Sequence, residues 1–477
     1  MTATVSPSFS SKDEIHLAYS RLKNLTQQTP FPTIEERRQC LQRLQAALLV
    51  NEEPLLVALL ADFGHRAPQE SRLLELIPLM GEIKHAKRHL SKWMKASRRR
   101  VHISTLPGSA KVLYQPKGVV GVISPWNYPV LLSLGPLVGA LAAGNRVMMK
   151  MSEFCPETNR VLRDIVDQSL GENWVEVVEG EAEIANEFSQ LAFDHLLFTG
   201  STSVGHIIMR NAAKHLTPVT LELGGKSPLL VAPSADLKDT AKKLVFGKVL
   251  NAGQTCVAPD YVFCHHDQKH TLIDYIKQEL VAYYPDGVLS SDYTSLISAR
   301  QLDRLKGYLD EARAAGVECD NLMPQGPVES DGKLAFHIVH QPGDELSVMQ
   351  DEIFGPVLPI LTYSSMDEAL SYIQQRPRPL SMYLFTQQSD DQTRCEERIV
   401  SGSLVINHTL IQVAQADLPF GGIGASGMGS YHAEEGFRTF SHSKSVLRKR
   451  GPNTLALLRP PYRRRMHKLI AKYWPFL

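Results

Sequence analysis

Apolar positions recur at helical spacing through the first hundred residues. Leu41, Leu44 and Leu48 follow Thr33-Ile34-Glu35-Glu36, a capping-box pattern that predicts a helix start. Asn51 and Pro54 start a second helix, which Gly64 ends, and Pro68 opens a longer one. Its apolar stripe is Leu73, Leu76, Ile77, Met80 and Ile83, with kinks expected at Pro78 and Gly81. The run Arg98-Arg99-Arg100 is read as a solvated boundary. Residues 101–115 are β-like around Pro107-Gly108 and predict a hairpin that extends from the body.

A regular alternation follows. Apolar runs at 118–123, 146–150, 174–178, 195–198 and 218–222 predict strands, separated by segments of helical length at 130–143, 156–170, 181–190 and 202–215. Strands alternating with helices imply an α/β fold with a doubly wound parallel sheet. Such sheets bind ligands outside the carboxyl ends of their strands. From Gly224 a second α/β pattern begins, with helices at 236–249, 268–283 and 298–315 and strands at 260–265, 357–362, 381–385 and 403–406. Pro419 to Gly429 is a Gly-rich loop.

Composition narrows the class. At 477 residues, two or three domains are expected, and 43% hydrophobic with 21% charged residues fits a globular protein. The six cysteines form no CxxC pair, which predicts a reducing compartment, no disulfide framework and no zinc site. Residues 1–9 lack the basic-then-apolar order of a signal peptide, and no run reaches the roughly 18 apolar residues of a membrane span. A cytoplasmic location is therefore expected. Charge is uneven: of 51 Lys and Arg, nine fall in 446–477, where there is no Asp or Glu, leaving 42 against 50 acidic residues elsewhere, a net of −8. An acidic body argues against nucleic-acid binding.

Candidate chemistry centres on Gly253-Gln254-Thr255-Cys256-Val257-Ala258-Pro259, a thiol on a Gly-started turn. Glu222-Leu223-Gly224-Gly225-Lys226 places a carboxylate at the end of a β-like run. A thiolate that attacks carbon and a carboxylate that takes a proton from water suffice for a thioester cycle. Alone, they read as a buried structural Cys and an ordinary surface turn. Asn127, in the turn Ser124-Pro125-Trp126-Asn127-Tyr128-Pro129, offers an amide to an oxyanion near Cys256. This first βα turn lacks GxGxxG. Phe198-Thr199-Gly200-Ser201-Thr202-Ser203-Val204-Gly205 is a strand-to-helix turn whose glycines admit a phosphate, or a generic Gly turn. After the second strand, Glu153 suits the ribose hydroxyls of NAD and Lys150 the 2′-phosphate of NADP; a surface pair is the alternative. Glu352-Ile353-Phe354-Gly355-Pro356 adds a carboxylate and a ring for a nicotinamide ribose and ring. Cys264-His265-His266-Asp267 is expected to bind no metal, because consecutive strand residues point to opposite faces.

These segments, in this order, resemble the aldehyde dehydrogenase superfamily over nearly the whole chain. The short N-terminal region resembles the class 3 branch. Asp62-Phe63-Gly64-His65-Arg66, 251–261 and Arg459-Pro460-Pro461-Tyr462 resemble coniferyl aldehyde dehydrogenases. Met151 departs from the Pro that the family usually has after the Lys.

The resemblance implies an aldehyde dehydrogenase-like fold. An NAD(P)-binding domain would comprise 1–100 and 116–223, a catalytic domain 224–430, and a small β-hairpin oligomerisation element 101–115 with 431–447, followed by a basic tail at 448–477. It implies NAD(P)-dependent oxidation of an aldehyde, aromatic and of the coniferyl type, by a homodimer. Medium- or long-chain aliphatic aldehydes are the alternative. Cys256 would be the nucleophile, Glu222 the base and Asn127 an oxyanion donor. Ser124, Trp126, Lys150, Glu153, Gly200, Ser201, Gly205, Glu352 and Phe354 would contact NAD, or NADP, and Lys226 would brace the Gly turn. A cofactor-independent Cys esterase and a non-catalytic binding protein are the competing classes.

In the tail, Tyr462, Met466, Leu469, Ile470 and Tyr473 fall on one helical face, flanked by Arg463, Arg464, Arg465, Lys468 and Lys472, with Trp474 and Phe476 beyond. Such a helix either packs on the protein or lies on a membrane surface.

Overall fold

The computed structural model describes residues 10–102, 105–451, 459–462 and 465–473. The predicted alternation forms a six-stranded sheet, ordered Gly427–Met428, Val219–Leu223, His195–Gly200, Val119–Ile123, Arg146–Lys150 and Val175–Val178. Its five long strands are parallel, and Gly427–Met428 adds antiparallel. Buried on both faces, these strands read as continuous apolar runs rather than alternations, which is why the pattern was legible. The strand order reverses between Val119–Ile123 and His195–Gly200. Register aligns Ile123 with Lys150 and Phe198, and Thr199 with Glu222, so candidate residues from separate strands reach one edge. Between strands, Pro129–Ala143 is buried on nearly all sides and accordingly apolar all round.

A seven-stranded sheet follows, ordered Cys319–Asn321, His337–His340, Val357–Tyr363, Tyr261–His265, Pro228–Val231, Ser381–Phe385 and Ser403–Ile406. All but its first pair are parallel. Sequence reading finds four of these strands. Pro228–Val231 begins on a proline, and His337–His340 carries His at both ends, so neither looks like a strand.

Two local expectations change. The hairpin arm lies at Ser97–Arg99, not after residue 100, and pairs with 110–112 of Gly108–Pro116. Pro107 cannot donate to a ladder. The long partner of Gly108–Pro116 is instead Ser441–Lys449, matched from Ser441↔Pro116 to Lys449↔Gly108. Arg98 and Arg99 thus sit exposed on the edge of a three-stranded sheet.

The third helix is also interrupted. Pro68–Ser71 runs into a π-helical turn, Arg72–Leu76, before Ile77–Trp93. An inserted residue shifts the helical phase. Leu73 and Ile77 therefore face out, 60% and 54% exposed, while Leu76, Leu79, Ile83 and Leu90 are buried. The same turn buries Glu75 completely. The Thr33 capping box forms as expected, with Glu36 N–H donating to Thr33 Oγ1 and Thr33 N–H to Glu36. Among the described residues no single helix is long and apolar enough to cross a membrane.

Gly427 has φ +146° and pairs with Glu222, and a Cβ on it would collide with the Leu221 carbonyl. Gly427→Ala should cost roughly 1–3 kcal/mol through strain and overpacking. The urea midpoint should fall; an unchanged midpoint would show that this edge tolerates a side chain.

Candidate active site

The cysteine loop begins where the helix Leu237–Val249 ends. Asn251, Ala252 and Gly253 have φ of 52°, 53° and 76°, three successive left-handed residues. For residues other than glycine such backbone costs of order 1–3 kcal/mol each and persists only where the surroundings fix it. Here they do. Glu70 Oε1 accepts from Asn251 N–H at 2.6 Å. Asn251 Nδ2 donates to the carbonyls of Asn127 (3.0 Å) and Gln254 (3.1 Å). Gln254 Nε2 donates to the Asn251 and Ser295 carbonyls, and its Oε1 accepts from Ile297 N–H at 2.9 Å. A Cβ on Gly253 would lie 2.5 Å from the Gly355 carbonyl oxygen, so glycine is required there.

The opposing turn is tied to the same loop. Asn127 Nδ2 donates to the Gln254 carbonyl at 3.1 Å, leaving its second N–H for another acceptor. Tyr128 shares a hydrogen bond with Thr255 Oγ1 at 2.7 Å. Behind them, Glu75 Oε2 accepts from Val130 and Leu131 N–H at the start of Pro129–Ala143, and Glu75 Oε1 accepts from Arg66 Nη1 at 2.7 Å. Both members of that ion pair are fully buried. Arg66 lies over the Phe63 and Tyr128 rings.

Between the sheets lies a cavity of about 710 Å³. Trp126, Asn127, Gly200, Ser201, Glu222, Cys256, Glu352 and Phe354, all sequence candidates, line it. Cys256 is a free, partly exposed thiol. Burial, then Glu352 and Glu222, push it up to about 12. Glu222 is buried, and neither carboxylate oxygen has a hydrogen-bond partner. Burial holds its pKa well above the usual carboxylate range. Such an orphan is costly unless something that enters the cavity uses it. Glu352 lies over Gly224, whose missing Cβ makes the room, and its Oε1 is also unpartnered. Burial and Asp260 push Glu352 up to about 8, opposed by the Gly225 backbone N–H.

Other candidates sit behind the cavity wall. Ser124 is buried, its N–H donating to the Lys150 carbonyl and its Oγ accepting from Ser133. Gly205 packs the helix Thr202–Ala213 on Leu223: a Cβ there would lie 2.7 Å from Leu223 Cδ2. Lys150 is 2% exposed and its Nζ donates to Glu153 at 3.2 Å. Met151 N–H donates to the Val178 carbonyl at 3.2 Å, a bond Pro could not make. Lys226 Nζ bonds Asp260 and the carbonyls of Val348 and Asp351. The alternation argument at His265-His266-Asp267 fails. The strand ends at His265 and a 3₁₀ turn follows, bringing the two imidazoles 4.2 Å apart at a 34° tilt with Asp267 near both. This surface cluster lies outside the cavity lining.

The cavity suits a dinucleotide. Ser201 caps Thr202–Ala213, accepting from Val204 N–H at 3.4 Å, and this helix N-terminus opens into the cavity. Such an end attracts phosphate. Phe354, at φ +49°, meets Trp126 edge-on at 5.3 Å and walls the space beside Cys256. Sequence reasoning missed Arg66, Glu70, Glu75 and Tyr128. No pattern marks a carboxylate in a helical stretch as one that points inward.

Comparison with known proteins gives a consistent set. The profile of the Aldehyde dehydrogenase family matches residues 5–446. A probable coniferyl aldehyde dehydrogenase of Pseudomonas aeruginosa is 45% identical over 460 residues, covering 96% of each chain. The 4,4'-diaponeurosporen-aldehyde dehydrogenase of Staphylococcus aureus is 38% identical over 444 residues, 92% of this chain and 94% of that one. The solved substrate-bound state of Staphylococcus aureus AldH superposes with a TM-score of 0.91 at 35% identity, covering 96% of this chain and 99% of that one.

A thiol held this high is mostly protonated at neutral pH. Without nucleotide, alkylation of Cys256 by iodoacetamide should quicken about tenfold per pH unit from pH 6 to 9. Peptide mapping reads the rate; a plateau below pH 8 would mean the carboxylates do not act on the thiol as described.

Proposed function

The chain belongs to the aldehyde dehydrogenase family, and from that premise we propose that it oxidises aromatic aldehydes of the coniferyl type to their acids through a thioester on Cys256. The supporting observation is the meeting of a thiol, an unpartnered buried carboxylate and a free amide N–H in one cavity. The enzyme uses NAD, with NADP accepted in its place; Glu153 would meet ribose hydroxyls and Lys150 a 2′-phosphate.

The cycle follows from those groups. Cys256 gives its proton to Glu222 and adds through Sγ to the aldehyde carbon. The oxyanion is held by Asn127 Nδ2 and the Cys256 backbone N–H. Nicotinamide, when bound, would supply the two-electron acceptor. Loss of hydride from the tetrahedral carbon leaves a thioester on Cys256. Glu222 gives the proton it took from Cys256 to solvent and, again a carboxylate, takes one from water, and hydroxide displaces the thiolate to release the acid. Glu352 would orient the nicotinamide ribose and Phe354 the ring. Because Glu222 must be ionised and burial raises its pKa, turnover climbs with pH over a range higher than an ordinary carboxylate would give.

The domain division follows the two sheets, with 1–100 and 116–223 for nucleotide, 224–430 for catalysis and the three-stranded sheet as the homodimer contact. Its exposed edge strand Ser97–Arg99 and half-exposed Leu447 support that contact. A cytoplasmic site of action agrees with six free cysteines.

Two relatives named for coniferyl aldehyde, at 45% and 41% identity, carry the substrate choice. The Staphylococcus aureus relative, named for a long polyene aldehyde, favours a long-chain second reading. The kcat/KM for coniferyl aldehyde should exceed that for decanal by at least about tenfold, and Cys256→Ala should abolish both. The reverse order would favour the second reading, whereas turnover by the variant would remove the thioester route.

For the basic tail we propose two alternatives, packing on the protein's own acidic body or partner, and a contact with a membrane surface. Arg465–Tyr473 is helical, with Leu469 51% and Tyr462 67% exposed. Arg463, Arg464, Trp474 and Phe476 lie outside the described residues, as do the side chains of Met466, Ile470 and Tyr473. Each basic residue adds roughly 1 kcal/mol near an anionic surface. Full-length enzyme should co-sediment with anionic vesicles at low salt and a chain ending at Leu458 should not; equal sedimentation would place the helix on the protein instead.

A further inference from the structure

We propose that Glu70 is a positioning residue that sets the conformation of the loop carrying Cys256. The inference rests on the assignment of Cys256 as nucleophile. Glu70 closes no ion pair of its own helix. One carboxylate oxygen accepts from Asn251 N–H at 2.6 Å, and the other accepts from Thr294 Oγ1. It therefore grips the first left-handed residue of the loop, whose conformation decides where Cys256 emerges. Asn251 passes the constraint on, since its amide donates to both Asn127 and Gln254.

The origin of Glu70 explains why one acid controls this geometry. It lies on Pro68–Ser71, and the π turn that follows buries Glu75, which caps the helix beginning two residues after Asn127. One irregular helix thus delivers two carboxylates. Glu70 holds the thiol side of the reaction centre and Glu75 the amide side. π turns interrupt α-helices most often where function depends on the displaced residues. A regular helix through 68–93 would keep the phase read from the sequence and would not bring Glu75 beneath the Asn127 turn.

The role is one of geometry. Neither Glu70 nor Thr294 lines the cavity, so their loss removes no direct contact to aldehyde or nucleotide. Misplacing a reacting group by about 1 Å can cost on the order of a hundredfold in rate. Gln keeps an acceptor oxygen for Asn251 N–H, and its amide can donate to Thr294, so the conservative variant preserves the grip.

The test compares Glu70→Ala, Glu70→Gln, Thr294→Val and Cys256→Ala in the full-length enzyme, below the unfolding temperature of each. Glu70→Ala should lower kcat by roughly ten- to a hundredfold, slow iodoacetamide labelling of Cys256 in parallel, and leave the Kd for NAD within about twofold. Glu70→Gln should restore most of the lost kcat, and Thr294→Val should show a smaller loss of the same kind. Wild-type kcat in Glu70→Ala, or equal impairment of the Ala and Gln variants, would overturn the role. Should Glu70→Ala not fold, unchanged kcat in Thr294→Val overturns it and a selective fall in kcat supports it. Turnover by Cys256→Ala would defeat the nucleophile assignment instead, which distinguishes the two failures.

Discussion

The site depends on a stretch of backbone held where it would not rest alone. Asn251, Ala252 and Gly253 occupy the left-handed region in succession. Without restraint the cost of such backbone would relax the turn and move the thiol. The restraint is a buried hydrogen-bond set drawn from several distant segments: Glu70 from the N-terminal helices, Asn127 from the first βα turn, and Ser295 with Ile297 from the chain that follows the cysteine loop. Polar networks of this kind favour one conformation as far as their members are satisfied, and here Asn251 Oδ1 has no partner. Docking the second sheet against the first is thus the same event as building the reaction centre.

A second constraint is electrostatic. Glu222 is buried and Glu352 half-buried, and three carboxylate oxygens between them are shielded from water without a partner. Burial raises both, and both in turn raise Cys256. Lys248 is fully buried with an unpartnered Nζ, lowered to about 8 by burial. Uncompensated groups of this kind lower stability and are kept where they do chemistry. Raising the carboxylate makes it a stronger base toward the thiol's proton than an exposed carboxylate would be.

Much of this was legible in the sequence. The parallel strands announce themselves because both faces are buried, and their carboxyl ends follow from the alternation. Glycines with positive φ or close approaches, such as Gly253 and Gly224, mark the turns. What escaped was information carried by contact rather than by pattern. Glu70 and Glu75 look like ordinary helix carboxylates until a π turn redirects the helix. Ser124 hydrogen-bonds Ser133 and Gly205 packs on Leu223, both outside the cavity lining. The strand Pro228–Val231 opens on the residue least favoured within a sheet, and the register between Gly108–Pro116 and Ser441–Lys449, segments that the resemblance put in one element, spans over three hundred residues, beyond any local signal.

The thioester on Cys256 is the central claim, and it can be trapped. Glu222→Gln removes the group that takes a proton from water, so the acyl-enzyme should outlast hydride loss. The variant, mixed with coniferyl aldehyde and NAD and quenched in acid, is digested and its Cys256 peptide weighed by mass spectrometry. A mass increase equal to the acyl group, in one-to-one ratio with the NADH formed in the burst, is the predicted result. NADH formed with Cys256 unmodified, or an adduct on another residue, would contradict the account.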